Sequence, residues 1–149
     1  MGLGRITLAL LAAPLLIGAD SVDPLFKPCH GGMRVTCVVD GDTLWLAGDK
    51  IRLADINTPE VSRPGCPAER ALGEAATRRL VALLNRGPVA FERAVGERDI
   101  DRYGRKLRIA RRDGRSLGDT LVSEGLAEPW TGRRRDWCGS KAEPRVNPR

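Results

Sequence analysis

Residues 39–60, with the sequence VDGDTLWLAGDKIRLADINTPE, form the stretch that decides the fold. Apolar and polar residues alternate over 43–47 and again over 50–56, and Gly48-Asp49 between the two runs is a turn signal. This pattern predicts a β-hairpin. Oxygen-bearing side chains stand at both outer ends of the hairpin, and a tight hairpin brings those ends to one edge. We therefore expect these oxygens to lie close together.

A hard divalent cation would suit such a group of oxygens. Calcium and magnesium are bound by carboxylate, amide and carbonyl oxygens, and no His or Cys stands nearby to favour a softer metal. The candidate side chains precede the first strand of the hairpin or follow the second: Asp40, Asp42, Asp55, Asn57, Thr58 and Glu60.

Two motifs in this stretch and a third farther along the chain occur together. They are Asp40-Gly41-Asp42-Thr43, Arg52-Leu53-Ala54-Asp55-Ile56-Asn57-Thr58-Pro59-Glu60 and Asp101-Arg102-Tyr103-Gly104-Arg105. In sequence and separation they resemble the motifs of the staphylococcal nuclease (thermonuclease) family, from about Val35 to Trp130. One position departs from the family pattern: Asn57 stands where the family usually has a metal-binding aspartate.

The resemblance implies roles for individual residues. Arg52 and Arg105 would bind the scissile phosphate through their planar guanidinium groups, and Glu60 would be the general base. An ordinary surface position after Pro59 is the alternative for Glu60. The implied metal ligands, for calcium, are Asp42, the Asn57 side chain and the Thr58 carbonyl. The residues expected to bind nucleic acid are Arg102, Tyr103 and Trp130, the two aromatics by stacking on bases.

Periodicity outside the hairpin predicts the remaining elements. Further strands are expected at 33–39, 89–94 and 103–111, an amphipathic helix at 68–86 and a shorter helix at 117–125. These elements indicate a mainly β (α+β) domain at residues 33–130. The resemblance implies a five-stranded OB-type barrel, with one helix between strands 3 and 4 and a second short helix after strand 5. Residues 131–149 are expected to form a basic tail without the C-terminal helix of the family's founding members.

Residues 1–19 are typical of a secretory signal peptide. They carry a single charge, Arg5, followed by an uninterrupted run from Ile6 to Ile17 and then the small residues Gly18 and Ala19. The run is short for a membrane span, so we expect cleavage near Ala19 and export to the periplasm or the medium, without membrane association of the mature form. A permanent anchor is the alternative. Residues 20–32 would form an N-terminal arm.

Four cysteines in a small exported domain indicate disulfides. Cys29 and Cys37 flank Gly31-Gly32, which lets the chain reverse, and we predict that they pair. Cys66 is then left to pair with Cys138. A zinc site is the competing interpretation, but the cysteine spacing contains no C-x-x-C.

The formal net charge is +6, and seven arginines and lysines crowd residues 102–115. Such a cluster attracts a polyanion, although a solvated strand face is an equally ordinary explanation. When the charge cluster is taken together with the three motifs, we expect an exported, monomeric, metal-dependent endonuclease of DNA and/or RNA. The resemblance implies 3′-phosphorylated products. Two alternatives stay open: a non-catalytic nucleic-acid-binding OB module, suggested by Asn57, and a nuclease that uses a metal other than calcium.

Overall fold

The computed structural model of the protein describes residues 25–96 and 98–139. The signal peptide at 1–19, the first residues of the arm (20–24) and positions 140–149 of the tail lie outside the described residues, so the expectations for them stay predictions. Within the described ranges, no helix has the length and apolar character needed to cross a membrane.

The domain is mainly β with two helices. In chain order the elements are β1 (Cys37–Asp40), β2 (Thr43–Leu46), β3 (Asp49–Leu53), β4 (Ile56–Asn57), α1 (Pro67–Leu84), β5 (Ala90–Arg93), β6 (Lys106–Arg112), β7 (Arg115–Ser116), α2 (Leu117–Ser123) and β8 (Glu128–Pro129).

Six of the strands form one mixed sheet. β1, β2 and β3 are an antiparallel meander, β3 then pairs in parallel with β6, and β6 pairs antiparallel with both β5 and β7. β4 and β8 form a separate antiparallel pair. Both helices lie close to their predicted positions: α1 follows the meander, and α2 follows β6 and the short strand β7.

The prediction of five strands closed into a barrel needs correction. In the described part of the chain, β1 and β5 stay at opposite edges of the sheet, so no ladder closes it. β4, β7 and β8 were missed because a two-residue strand is too short to show a periodic pattern.

The central hairpin turns one residue earlier than expected. Its two-residue loop is Ala47-Gly48, and both residues have positive φ (50° and 87°), as type I′ hairpin loops require. Strand β1 also begins later than expected, at Cys37 rather than Met33. Instead of extending the strand, the preceding arm runs beside it: the Cys29 N–H donates to the Val38 carbonyl at 2.7 Å, and the Val38 N–H donates to the Lys27 carbonyl at 2.8 Å.

Two disulfides are present, with the pairing predicted from the sequence. Cys29–Cys37 holds the arm against β1, and Cys66–Cys138 links the start of α1 to the tail. The second bridge closes a loop of 72 residues. In the chain-entropy description, closing a loop of that size stabilises a domain by roughly 2–5 kcal/mol.

The core lies between the sheet and the helices. Fully buried Leu44 and Leu53 from the hairpin meet Leu80 from α1 and Leu121 from α2. Helix α1 begins directly after Cys66, which is its N-cap residue, and has Pro67 in its first turn, a position proline favours. The core thus joins α1 to the hairpin whose ends carry the candidate site.

Candidate functional site

A cleft of about 480 Å³ opens beside β3 and the loop before β6. Five arginines line it, together with one carboxylate and two aromatic side chains. The lining residues are Arg52, Ala54, Arg98, Asp101, Arg102, Tyr103, Arg105, Leu107, Trp130 and Arg134. The cleft therefore brings together five of the predicted site residues, Arg52, Arg102, Tyr103, Arg105 and Trp130.

Strand β3 places Arg52 at the base of the cleft, where its side chain is only 10% exposed. Its Nη1 lies 3.2 Å from Oδ2 of Asp42 and also donates to the Leu53 carbonyl. A buried guanidinium needs such a partner because an unpaired charge away from water is costly. The ion pair holds the guanidinium group of Arg52 in place and links it to the predicted metal residues.

Asp42 and Thr58 form the centre of those metal residues. Oδ2 of Asp42 accepts hydrogen bonds from the Thr58 N–H at 2.9 Å and from Thr58 Oγ1 at 3.1 Å. The contact depends on Gly41, because a Cβ there would lie 2.7 Å from Cβ of Ala76 and 2.8 Å from Cγ2 of Thr58. The glycine of the first motif thus lets the Asp42 loop pack onto both Thr58 and α1.

Asn57 lies on the two-residue strand β4, directly opposite Glu128 of β8, and is buried. Its Nδ2 donates to Oε1 of Glu128 at 3.0 Å. With the nitrogen committed to Glu128, Oδ1 is the atom of Asn57 that can face a cation. Glu128 was not predicted from the sequence, and it lies beside the position where the family pattern has an aspartate.

The donor set fits a hard cation. Among the described residues, no three His, Cys, Asp or Glu side chains converge on one point, so a site here would combine carboxylates with neutral oxygens. Asp40 places a second carboxyl group beside Asp42, and burial, followed by repulsion from the adjacent Asp42 carboxylate, raises the pKa of Asp40 to about 7. A bound cation would relieve this crowding of negative charge.

Glu60 lies on the loop that leads from β4 to α1; it does not line the cleft itself and is connected to it through Arg134, which does. Its carboxylate pairs with Arg134, and its side chain is 36% exposed. The backbone of the loop is held by Glu69 in the first turn of α1, which accepts hydrogen bonds from the Glu60 N–H at 3.2 Å and the Gly65 N–H at 2.6 Å. Glu69 therefore positions Glu60 without lining the cleft.

Helix α1 approaches the same loop through Gly73. A Cβ at this position would lie 2.7 Å from the Pro59 carbonyl oxygen and 3.2 Å from that of Glu60. Glycine costs about 1 kcal/mol relative to alanine inside a helix, so this close approach explains its presence there.

Replacing Gly73 with alanine should move the Glu60 loop. Backbone cannot yield as a flexible side chain does, so we expect the free energy of unfolding to fall by about 1–3 kcal/mol despite the better helix propensity of alanine. Thermal denaturation followed by circular dichroism measures the change. Gly31→Ala is the control, since a Cβ there meets nothing within 4 Å. Equal stability of the Gly73→Ala variant and the unchanged protein would contradict this account of the packing.

Asp101 holds the side chain of Arg105 through hydrogen bonds and an ion pair. Oδ2 of Asp101 accepts from both Nε and Nη2 of Arg105 at 2.7 Å, and Oδ1 accepts from the Tyr103 and Arg105 N–H groups. Burial tends to raise the pKa of Asp101, but these hydrogen bonds outweigh it and hold that pKa below its usual value. An ionised Asp101 thus fixes the guanidinium of Arg105 within the cleft.

The two aromatic side chains lie against the arginines. The ring centroid of Tyr103 is 4.8 Å from Cζ of Arg102 and 5.4 Å from Cζ of Arg105, and that of Trp130 is 6.0 Å from Cζ of Arg52. Both residues are exposed, Tyr103 by 64% and Trp130 by 39%. Exposed rings at the mouth of a basic cleft are able to stack on the bases of a nucleic acid.

Sequence reasoning missed several residues of this region: Glu69, Arg98, Asp101, Glu128 and Arg134. Asp101 was within reach, because it opens the third motif. Arg134 belongs to a run of three arginines at 133–135, which predicted only a basic tail. For Glu69, Arg98 and Glu128 the sequence held no local signal.

Comparison with known proteins agrees with this geometry. Residues 50–143 match the family model described as staphylococcal nuclease homologue. The SPbeta prophage-derived endonuclease YokF and the endonuclease YncB, both of Bacillus subtilis (strain 168), are 39% and 37% identical over 93 residues, which is 60% of this chain. The chain spans less than half of these two relatives, 31% of YokF and 43% of YncB.

A third relative, Protein ParB of Escherichia coli, is 32% identical over 150 residues, covering 92% of this chain and 75% of the relative. Since the family model matches more than half of the chain and includes the segments of Arg52, Glu60 and Arg105, the chain belongs to the family of staphylococcal nuclease homologues.

Proposed function

We propose that the protein is an exported, monomeric, metal-dependent endonuclease that hydrolyses phosphodiester bonds of DNA or RNA on an OB-type fold. The observation that carries the proposal is the cleft with five arginines and a single carboxylate, Asp101, which is itself paired with Arg105. Such a surface attracts a phosphate backbone, and the two exposed aromatics add stacking with little sequence preference. The endonucleases among its relatives support the same class of substrate.

The cleft residues supply the binding part of the reaction. Arg52 and Arg105 present planar forks to non-bridging phosphate oxygens, where they offset the negative charge that builds up as the phosphorus is attacked. Asp42 and Asp101 hold these forks in fixed orientations, so little reorganisation is needed when the substrate arrives.

Glu60 supplies the proton acceptor. A carboxylate that is paired with the cleft residue Arg134 can take a proton from a water molecule that attacks the phosphorus. Glu69 and Gly73 hold the backbone that carries it. Asp42, Asn57 Oδ1 and the Thr58 carbonyl would hold the metal, and when bound, a divalent cation polarises the phosphate and orients water.

A cleavage assay tests this function directly. The oxidised mature protein is incubated with plasmid DNA or with RNA, and each substrate is tested separately with calcium, with magnesium and with a chelator. We expect internal cleavage with a divalent cation and none with the chelator, and end-group analysis of the products should find 3′-phosphates. Binding of either nucleic acid without cleavage under every metal condition would favour the non-catalytic module, for which Asn57 is the supporting observation.

Replacing Asn57 with aspartate should make the protein depend more strongly on calcium. Without the cation, the new carboxylate at buried position 57 faces the half-buried Glu128, where an N–H donor stood, so we expect a loss of about 1–3 kcal/mol of stability. With calcium, an additional unit charge worth about 1–2 kcal/mol should lower the concentration for half-maximal effect on the order of tenfold. Thermal denaturation across a calcium titration measures both effects, with activity as a second readout.

The double variant Asn57→Asp, Glu128→Gln separates the two contributions. It removes the repulsion between the carboxylates and should recover stability without calcium, while the gain in calcium affinity is kept. If calcium stabilises Asn57→Asp and the unchanged protein equally, residue 57 does not bind the cation.

A further inference from the structure

Arg134 is a cleft residue that the sequence placed only within a basic tail. Its guanidinium lines the same cleft as Arg52 and Arg105, and it pairs with the carboxylate of Glu60 across 74 positions of the chain. It therefore contacts the proposed proton acceptor while it lines the same cleft as the proposed phosphate-binding residues.

Three contacts hold the segment that carries Arg134 against the domain. The Trp130 N–H donates to the Asp55 carbonyl at 2.9 Å, the Arg135 N–H donates to Oε1 of Glu128 at 2.9 Å, and Cys138 is bonded to Cys66. Cys66 is also the N-cap of α1, the helix that positions the Glu60 loop. The backbone on both sides of Arg134 is thus fixed to the elements that form the site.

The pair between Arg134 and Glu60 is exposed, with side-chain exposures of 61% and 36%. Exposed ion pairs are weak because water screens both charges, so Glu60 does not hold the guanidinium tightly. A guanidinium has five N–H donors on a rigid plane and is able to contact one carboxylate and one phosphate at the same time. Arg134 can therefore engage a substrate without giving up Glu60.

From these contacts we propose that Arg134 binds a phosphate of the nucleic-acid substrate and orients Glu60 toward it, and that the Cys66–Cys138 disulfide keeps it in the cleft. This inference rests on the proposed function and adds a third guanidinium to the phosphate-binding pair of Arg52 and Arg105. The other two roles open to Arg134, blocking of Glu60 and simple attachment of the tail, give different results in the following experiments.

Kinetics of Arg134→Ala and Arg134→Lys provide the first test. Because Arg134→Ala removes a hydrogen bond between charged groups, its kcat/KM should fall about 10- to 100-fold, with a rise in KM and a fall in kcat. Lysine should restore part of the KM effect, because it keeps the charge but lacks the fork. Arg133→Ala is the matched control: Arg133 is the preceding exposed residue and is not part of the cleft lining, so its replacement should change kcat/KM about twofold at most.

Two outcomes of these kinetics would overturn the proposal. Faster cleavage by Arg134→Ala would mean that the residue blocks Glu60, and unchanged kinetics would mean that it only attaches the tail.

The disulfide provides the second test. In a Cys66→Ser, Cys138→Ser variant whose fold is verified by circular dichroism, the Arg134→Ala change should have a clearly smaller effect than in the oxidised protein, since both changes remove the same guanidinium from the cleft. If Arg134→Ala lowers kcat/KM by the same factor with and without the disulfide, the proposed role of the disulfide is wrong. If the double serine variant does not fold, the same comparison of Arg134→Ala with the unchanged residue is made on folded protein before and after mild reduction of the disulfide.

Binding without turnover separates this inference from the proposed function. The affinity for a tetradeoxynucleotide is measured in chelator over a range of salt concentrations, where each phosphate contact on a single strand contributes about 0.7 to the slope of log K against log salt. Arg134→Ala should lower the slope by about that amount and Arg133→Ala should not. A protein that binds in this way but never cleaves would refute the proposed function alone. A slope unaffected by Arg134→Ala would refute the phosphate contact, whether or not the protein cleaves.

Discussion

Replacing Glu60 with glutamine should lower the turnover of a nucleic-acid substrate by about 10²- to 10⁴-fold, the range typical of a lost general base. Glutamine has the shape of glutamate but cannot accept the proton from the attacking water. The fold should be unaffected, because the pair between Glu60 and Arg134 is exposed and contributes little to stability. A fluorogenic oligonucleotide assay at saturating metal gives kcat, and thermal denaturation verifies the fold.

The control for this experiment is Glu74→Gln. Glu74 lies in α1 and, unlike Glu60, is not paired with an arginine of the cleft, so its replacement should leave turnover close to that of the unchanged protein. Nearly full turnover of Glu60→Gln would show that another group accepts the proton and that Glu60 serves only to hold Arg134.

Replacing Arg105 with lysine should lower kcat by about 10²- to 10³-fold, comparable to the loss of one donor to a developing negative charge. The ammonium group keeps the charge, but it cannot maintain two hydrogen bonds to Asp101 while presenting a planar edge to the phosphate. Binding of an oligonucleotide in chelator should change little, because the long-range attraction depends on charge. Turnover and binding are measured on the same preparations.

Arg108→Lys is a closely matched control for this change. Arg108 lies on β6, its side chain is 17% exposed compared with 18% for Arg105, and it is paired with Asp99, yet it does not line the cleft. Its replacement should leave kcat nearly unchanged. Equal losses in the two variants would mean that Arg105 acts through the stability of the sheet and not on the phosphate.

Helix α1 connects the core to the chemistry in this domain. Its apolar side, including Leu80 and Leu84, packs into the core, while Glu69 and Gly73 hold the backbone of the Glu60 loop. The disulfide at its N-cap then joins the segment of Arg134 to the same helix. The position of the proposed proton acceptor relative to the arginines is therefore set by how α1 packs on the hairpin.

Much of the architecture was predictable because it is encoded between near neighbours in the chain. The alternation on both sides of Ala47-Gly48 specifies the hairpin, and the spacing of Leu80, Leu83 and Leu84 specifies a buried helix face. The predictions failed at β4, β7 and β8, because strands of two residues carry no period, and at the closure of the sheet, which depends on its edges and not on any local pattern.

The sequence by itself determined the mainly β fold with two helices, the family and the motif residues that face the cleft, since hairpin, helix and motif patterns are local. Only the tertiary structure decided which groups those residues meet. Asn57 contacts Glu128 across 71 positions and Glu60 contacts Arg134 across 74, and neither partner belongs to a motif. Such contacts exist because the packing of α1 and α2 and the Cys66–Cys138 bridge bring distant segments to one edge of the hairpin, and no pattern of neighbouring residues encodes that meeting.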